Sequence, residues 1–397
     1  MADTLDWVVV GGGIHGVHLA VRLLDARATV PDRLRIVDPA AGLLERWVSC
    51  TGATGMTHLR SPAVHHLDVD PYSLLRFGGQ RRQRPRGLPR AERPFVPPYD
   101  RPSLALFAAH SAEVVDTYGL AGLHVRDLAA RIVLGGDEVV VELRSGAHLL
   151  ARNVILALGL SRQPRWPAFA LPLRGAAASH LFDPDQPLVR TDLPPRILVV
   201  GAGISGAQTA LALAAASRDV TLVSRHPIRE HQFDSDPGWL GPRFMVGFDQ
   251  LDDAGERRAA ITAARHRGSL PADVHRDLRA GLARGELRFL RGEVTHASRS
   301  GRGVALRLGD EAIEVDHVVL ATGFEAARPG GELVDHLVES GLPCAACGYP
   351  LVDRALRWHP RVFVSGPLAE LELGPAARNI AGARRAAERV LSANIAS

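Results

Sequence analysis

Two glycine-rich turns of one design limit what this chain can fold into. The first reads Gly11-x-Gly13-x-x-Gly16, entered by the apolar run DWVVV and followed by VHLAVRLLDA. The second reads Gly201-x-Gly203-x-x-Gly206, entered by RILVV and followed by AQTALALAAA. Short apolar runs of this kind read as buried strands, and the longer apolar stretches as packed helices. In such a strand–turn–helix unit the first glycine allows the tight turn. The second lets a pyrophosphate approach the backbone, and the third lets helix and strand pack closely. The helix start adds unpaired N–H groups and a partial positive charge. Gly11, Gly13 and Gly16, with Ile14 and His15 between them, are therefore candidate contacts to one dinucleotide. Gly201, Gly203 and Gly206, with Ser205, are candidates for a second.

The strands that follow end differently. RLRIVDP ends at Asp38, an acid that can accept hydrogen bonds from a ribose and suits FAD. DVTLVSRHP ends at Ser224, Arg225 and His226. A carboxylate there would repel a 2′-phosphate, whereas arginine pairs with one through two parallel hydrogen bonds, which suits NADPH. Downstream of each unit come alternating segments and a buried strand ending in a small-residue turn: DEVVVELRSG with AHLLARNVILALG, then GRGVALRLGD with EAIEVDHVVLATGF. The chain reads as an internal duplication. The expected class is α/β, with two Rossmann-like dinucleotide-binding domains, the NADPH domain inserted in the FAD domain. The FAD-binding domain is expected over 1–190 and 316–397, and the NAD(P)H-binding domain over 191–315. DPDQPLVRTDLPP is the linker in, and the return crossing lies near Glu311 to Asp316. Near the end, VFVSG leads through Gly366 to a helix expected to open at Gly374-Pro375, proline being suited to a first turn. That helix start, with Leu373 and Gly374, is expected to face the pyrimidine end of a flavin and to stabilise negative charge on it.

Composition removes other classes. The 397 residues suffice for two substantial cores, and 46% hydrophobic with 23% charged residues is ordinary for a globular protein. All 47 basic residues are arginine, which excludes a lysine Schiff base and a phosphate-loop lysine. The arginines are scattered except in QRRQRPRGLPRAERP (Gln80 to Pro94), a proline-rich run that reads as a solvated loop, so no nucleic-acid partner is expected. No apolar run approaches a membrane span, and the acidic start runs straight into a strand, so a cytoplasmic location without membrane association is expected. Cys50, Cys344 and Cys347 fit a reducing compartment. Cys344 and Cys347 have dithiol spacing, but they make only half a zinc site, so no metal is expected.

With these features assembled, the sequence resembles the two-dinucleotide-binding flavoprotein monooxygenases, and within them the N-hydroxylating branch of ornithine and lysine hydroxylases. That branch carries the pattern D-x-x-x-L-A-T-G-[YF], which stands here as Asp316-His-Val-Val-Leu-Ala-Thr322-Gly323-Phe324. MTHLRSPAVHHLDVDPYSLLRF (Met56 to Phe77) is similar to its flavin-lining segment, and PYDRPSLALFAAHSAEVV to its next helix. HQFDSDPGWLGPRFM (His231 to Met245) is similar to its loop over the nicotinamide and substrate. The resemblance implies that NADPH reduces FAD. A flavin peroxide then oxygenates a nucleophilic nitrogen or sulfur of a small-molecule substrate, with dioxygen as co-substrate. It implies Trp47, Met56, Thr322 and Gly323 as further cofactor contacts, His58 and Arg60 as candidates beside the flavin, and Asp236 and Trp239 beside the nicotinamide. His65 and His66 are expected to be structural. Two departures bear on the substrate. The flavin-lining segment has no lysine, with Arg60 as its candidate replacement. The loop has Gly238, Trp239 and Leu240 where an asparagine–glutamate pair is expected, which leaves an apolar or aromatic substrate open beside ornithine or lysine. The alternatives are a flavin-dependent dithiol/disulfide oxidoreductase using Cys344 and Cys347, and a non-catalytic FAD/NADPH-binding redox sensor. Assembly into a homo-oligomer stays open.

Overall fold

The computed structural model describes residues 4–80, 93–301 and 303–395; most of the arginine-rich run from Gln80 to Pro94 lies outside them. The chain enters on β1 (Leu5–Val10), passes through α1 (Ile14–Asp25) and returns on β2 (Leu34–Val37). A cap follows: α2 (Glu45–Ala53), α3 (Ser73–Gln80), the short pair β3 (Phe95–Val96) and β4 (Arg101–Pro102), and α4 (Leu104–Thr117). The Ser103 hydroxyl accepts from the Leu106 N–H at 3.1 Å and caps α4. β5 (His124–Val125), the hairpin β6 (Ala129–Leu134) and β7 (Val139–Leu143), and β8 (His148–Leu156) complete the first unit.

After β9 (Ala178–His180) the plan repeats with β10 (Arg196–Val200), α5 (Ile204–Ala215) and β11 (Asp219–Ser224). Next come β12 (Arg229–Glu230), α6 (Pro242–Asp249), α7 (Ala254–Ala264), β13 (Ser269–Leu270), α8 (Ala272–Ala283) and β14 (Arg288–Arg291). The meander β15 (Val294–Ser300), β16 (Gly303–Leu308), β17 (Glu311–Val315) leads to β18 (His317–Leu320). The chain closes with α9 (Gly331–Glu339), β19 (Arg357–His359), β20 (Val362–Val364), α10 (Glu370–Leu373) and α11 (Ile380–Ile395).

The first sheet runs β19-β20-β8-β1-β2-β5, with β7 and β6 continuing from β8. β1 lies parallel between β2 and β8 and is covered on both faces, which is why its sequence is apolar at nearly every position. Its period-two alternation divides two cores. Val8 and Val10 pack with Val334 and Leu337 of α9, while Trp7 and Val9 pack with Val17 and Val21 of α1 and Val390 of α11. Each such buried side chain contributes about 1.5–3 kcal/mol. The second sheet, β14-β11-β10-β18-β9, repeats the arrangement: Ile197 and Val199 face one core, Leu198 and Val200 the other. Among the described residues no helix is long and apolar enough to cross a membrane.

Two details differ from the sequence expectation. The second sheet draws strands from outside 191–315: β18 pairs parallel with β10 (Ile197 opposite His317), and β9 pairs with β18 (Val318 opposite Ala178). The chain therefore returns to the first unit only after β18, because that strand occupies beside β10 the place β8 occupies beside β1. The C-terminal helix also does not open at Gly374-Pro375. Pro375–Arg378 forms a separate 3-10 turn, Asn379 is extended (φ −91°, ψ 169°), and α11 begins at Ile380. Gly382 permits the doubling-back, since a Cβ there would lie 2.3 Å from the Ala377 carbonyl oxygen.

Candidate dinucleotide sites

The two turns are copies in three dimensions. Gly11 has φ +114° and Gly201 φ +110°, values that favour glycine. The Gly11 N–H donates to the Val37 carbonyl at 2.8 Å, and the Gly201 N–H to that of Val223 at 2.8 Å. A Cβ at Gly16 would lie 1.7 Å from the Gly11 carbonyl oxygen, and one at Gly206 1.8 Å from that of Gly201. The outer glycines of each turn are thus demanded by the fold.

The middle glycines are not. Gly13 has φ −82° and ψ −167°, backbone that any residue adopts, and nothing lies within 4 Å of a Cβ built there. Gly203 has φ −74° and ψ 176°, and its nearest neighbour, the Gly268 Cα, would be at an ordinary 3.4 Å. Close approach of a ligand is the remaining reason for glycine. Neither α1 nor α5 has a side-chain cap, so their starts are open to an anion. Both turns fit a dinucleotide pyrophosphate.

Around the first turn, Asp38 accepts from the Gly12 N–H at 2.7 Å and, on its other oxygen, from the Ala40 N–H at 2.9 Å. A carboxylate offers about four acceptor positions, so two remain for ribose hydroxyls. Ile14, Trp47 and Met56 fall in one apolar cluster with Phe107 and Ile380, and the Trp47 and Phe107 rings are 4.9 Å apart. The His15 imidazole bonds the Ser365 hydroxyl at 2.8 Å, and Gly366 (φ +67°) approaches that ring, a Cβ there lying 3.7 Å from it. Burial pushes His15 down to about 4, against backbone hydrogen bonds at Asn379 and Arg378, so it is neutral at pH 7. Leu373 is buried, and Gly374 (φ +74°) faces Met245 and Trp239, 3.2 and 3.6 Å from a Cβ there.

Around the second turn, the Ser224 hydroxyl accepts from the His226 N–H at 3.3 Å. Arg225 meets Glu293 at 3.4 Å with both side chains exposed, a pairing worth no more than about 1 kcal/mol and easily exchanged for a phosphate. Ser205 lies in the first turn of α5. Thr322 donates to the Arg165 carbonyl and meets the His180 ring at 3.2 Å; Gly323 (φ +78°) accepts from the Arg165 N–H at 2.9 Å.

Of the four candidates for catalysis, Asp236 and Trp239 share one turn, and His58 and Arg60 engage other partners. His58 is buried, its ring nitrogens meeting the Arg93 carbonyl at 2.8 Å and the Thr57 hydroxyl at 3.2 Å. Arg60 reaches the second unit, donating to the Gln232 carbonyl (2.8 Å), the His231 carbonyl (2.7 Å) and the Ser269 hydroxyl (2.9 Å). Asp236 caps a short 3-10 turn, accepting from the Gly238 N–H at 2.7 Å. Trp239 packs with Phe244 and Phe248, ring centroids 5.4 and 5.7 Å away. Trp239 joins two of the other candidates: its backbone N–H donates to the Asp236 carbonyl at 3.1 Å, and its ring lies against Gly374. Of the two histidines expected to be structural, His66 is wholly buried and bonds the Pro71 carbonyl at 3.1 Å.

Two features escaped the sequence reading. Arg101 is 1% exposed and spans the units, donating to the Pro97 carbonyl at 3.1 Å and to Asp273 of α8 at 2.7 Å. Glu370, wholly buried, receives Arg378 (2.6 and 2.7 Å), Arg265 (3.3 Å) and Arg258. An acid inside the apolar run GPLAELELGP was the available signal for Glu370; nothing local marks Arg101. Cys344 and Cys347 follow α9, Cys344 half-buried and bridging to Pro350, Cys347 exposed. Among the described residues no three metal-binding side chains group together.

Comparison with known proteins agrees with this geometry. Residues 8–161 match the FAD-NAD(P)-binding family, and residues 86–237 match the pyridine nucleotide-disulphide oxidoreductase family. No curated protein matches the sequence. Among solved structures, the chain is similar to the ornithine N-hydroxylase of Kutzneria sp. 744 with reduced FAD, NADP+ and L-ornithine (18% identity, 99% of each chain, TM-score 0.76). It is also similar to L-lysine 6-monooxygenase from Pseudomonas syringae (20%, 99% of each chain, 0.75). The bacillithiol disulfide reductase of Bacillus cereus shares the fold less closely (14%, 99% of each chain, 0.64). The chain shares the fold of the two-dinucleotide-binding-domain flavoproteins. It is an FAD- and NAD(P)H-dependent oxidoreductase.

Proposed function

We propose that this protein is an NADPH-linked flavin monooxygenase that places oxygen on a nucleophilic nitrogen or sulfur of a small, largely apolar molecule. The observation that carries the proposal is the pair of middle glycines, Gly13 and Gly203, which the fold leaves free and only two ligands explain. The Gly11–Gly16 turn, Asp38, the Ile14–Trp47–Met56 cluster and the Gly366 and Gly374 segments would hold FAD. The Gly201–Gly206 turn with Ser205, Ser224 and Arg225 would hold NADPH, and Arg225 would exchange Glu293 for the 2′-phosphate. When bound, the flavin accepts hydride from the nicotinamide and activates dioxygen.

The chain's own part is placement and dryness. Arg60 and Arg101 fasten the flavin-lining segment to the second unit. Trp239, with Met245 and Phe248 buried behind it, closes an apolar wall against Gly374 and excludes water from the space between the cofactors. No candidate in that space is an unengaged acid or base, so the substrate would supply the nucleophile. The hydroxylase of Kutzneria acts on ornithine and the Pseudomonas enzyme on lysine. Here the Gly238-Trp239-Leu240 loop supports an apolar or aromatic amine or a thioether instead. A disulfide reductase would instead rely on Cys344 and Cys347, both free thiols here.

The test is NADPH consumption in air by the flavin-loaded protein against a panel of amines, amino acids and thioethers, with product identified by mass. Oxygenated product in step with NADPH supports the proposal. Disulfide reduction that disappears in Cys344→Ser/Cys347→Ser would replace it.

A further inference from the structure

We propose that Glu370 is a positioning residue for hydride transfer: it sets the distance between the two glycine turns, and so between the nucleotides they would hold. Its meaning for catalysis rests on the assignment of FAD to the first turn and NADPH to the second. Glu370 opens α10 and is wholly buried. A carboxylate offers about four acceptor positions, and here four N–H groups fill them. Arg378, from the same segment, takes both oxygens as a fork, Nε to Oε2 at 2.6 Å and Nη2 to Oε1 at 2.7 Å. The two remaining positions go to the second unit. Arg258 of α7 donates to Oε1, and Arg265, just after α7, donates to Oε2 at 3.3 Å.

From Glu370 a short path runs to each turn. Toward the first, α10 continues directly from the 3-10 turn Gly366–Ala369, and every residue from Gly366 to Leu373 is buried. A Cβ at Gly366 would lie 3.7 Å from the His15 ring, and the Ser365 hydroxyl bonds that ring at 2.8 Å. His15 stands inside the first turn, between Gly13 and Gly16. Toward the second, Arg265 also donates to the Pro375 carbonyl at 2.9 Å. The chain runs on from it through His266 to Gly268, whose Cα would lie 3.4 Å from a Cβ at Gly203. That loop is pinned. The His266 N–H donates to the Asp234 carbonyl at 2.7 Å, and the Ser269 hydroxyl to the His266 carbonyl at 2.6 Å. Asn379 of the first unit donates to the Asp234 carboxylate at 3.2 Å. A displacement at Glu370 therefore shifts one turn against the other.

A buried ion cluster is often no more stabilising than apolar packing of the same volume, so its use here is to fix geometry. Burial alone would push the Glu370 carboxyl up, and the bonds and charges of Arg378 and Arg258 outweigh it, so it stays ionised. Burial lowers Arg265 to about 10, which leaves it charged at neutral pH. Hydride transfer rewards such fixing. The reacting atoms must come within about 3–3.5 Å, and a misplacement of about 1 Å costs on the order of a hundredfold in rate. Glu372, two residues on, is the internal comparison. It receives Arg257 at 2.9 Å and Arg389 at 3.3 Å, one donor on each oxygen, and neither arginine belongs to the loop over Gly203.

The test is anaerobic stopped-flow reduction of the FAD-loaded protein over a range of NADPH concentrations, in wild type, Glu370→Gln and Glu372→Gln. Glu370→Gln is expected to keep its FAD and to lower the limiting rate of flavin reduction by about ten- to a hundredfold. The NADPH concentration that gives half that rate should change little. NADH should show the same loss, because the 2′-phosphate plays no part in it. Should Glu370→Gln fail to fold or to hold FAD, Arg265→Met breaks the same link from the second unit and should give the same split. Glu372→Gln should lose stability and keep its rate. A wild-type limiting rate in a folded, FAD-bearing Glu370→Gln or Arg265→Met would overturn the role, as would an equal loss in Glu372→Gln or a change confined to the half-saturating concentration. Wild-type protein whose bound flavin is not reduced by NADPH would instead condemn the assignment of the two nucleotides, and the role of Glu370 with it.

Discussion

The two glycine turns are superimposable in design, and they differ where the ligands would differ. Each first glycine is left-handed, each third glycine lies under the first one's carbonyl, and each middle glycine is unforced. Asp38 closes the first unit with both oxygens held by backbone amides, a rigid acceptor for a ribose. The second unit ends in Arg225, an exposed cation resting on an exposed acid. The space above the middle glycine also differs. It is empty over Gly13, whereas Gly268 lies over Gly203. On the proposed function, the first site would keep its flavin and the second would exchange its nicotinamide nucleotide.

The sharpest way to break this symmetry is at the third glycines. Gly16→Ala and Gly206→Ala each set a Cβ against backbone at 1.7 and 1.8 Å, so each is expected to cost at least about 3 kcal/mol. Thermal unfolding should show comparable losses in both, and a variant as stable as wild type would contradict the packing. The middle glycines should behave differently. Gly13→Ala is expected to keep the wild-type unfolding temperature but lose FAD affinity by tenfold or more, about 1.4 kcal/mol or above. Gly203→Ala should keep its FAD and raise KM for NADPH instead. Equal effects of the two variants on both cofactors would remove the division of labour.

A smaller effect is expected at Arg225. Arg225→Ala should lower the NADPH to NADH preference by about tenfold in kcat/KM and leave stability within about 0.5 kcal/mol, since only a surface pair is lost. An unchanged preference would move phosphate recognition elsewhere. A pH effect is spread over both units. Burial depresses His15 to about 4, His18 to about 3 and His66 to about 4 in the first, and His180 to about 4 beside Thr322. Below an ordinary histidine value of about 6.5 the unfolded chain binds protons that the folded chain refuses. Stability is therefore full above that pH and falls as pH drops toward 4, by up to about 1.4 kcal/mol per unit for each group. Denaturant midpoints between pH 7 and 4.5 would show the slope, and a flat profile would mean these rings are hydrated.

The duplication was legible in the sequence because each unit's signals are local: an apolar run, glycines at fixed offsets, an apolar helix. The strand-end residues Asp38 and Arg225 were legible for the same reason. What stayed hidden depends on partners distant in the chain. That β9 and β18 join the second sheet is decided by pairing with β10, not by their own composition. Arg60 read as a group facing a ligand, yet three protein acceptors from His231, Gln232 and Ser269 claim it. The helix expected at Gly374-Pro375 starts at Ile380, after a 3-10 turn whose Arg378 is committed to Glu370, a pairing that no local pattern announces.

The central claim is that the two turns hold two different dinucleotides near enough to exchange hydride. It is tested most directly by mixing the FAD-loaded protein with NADPH in the absence of oxygen and following the oxidised-flavin absorbance. One equivalent of NADPH should bleach the bound flavin, fast with NADPH and slowly with NADH. Flavin that stays oxidised in the presence of excess NADPH would contradict the account.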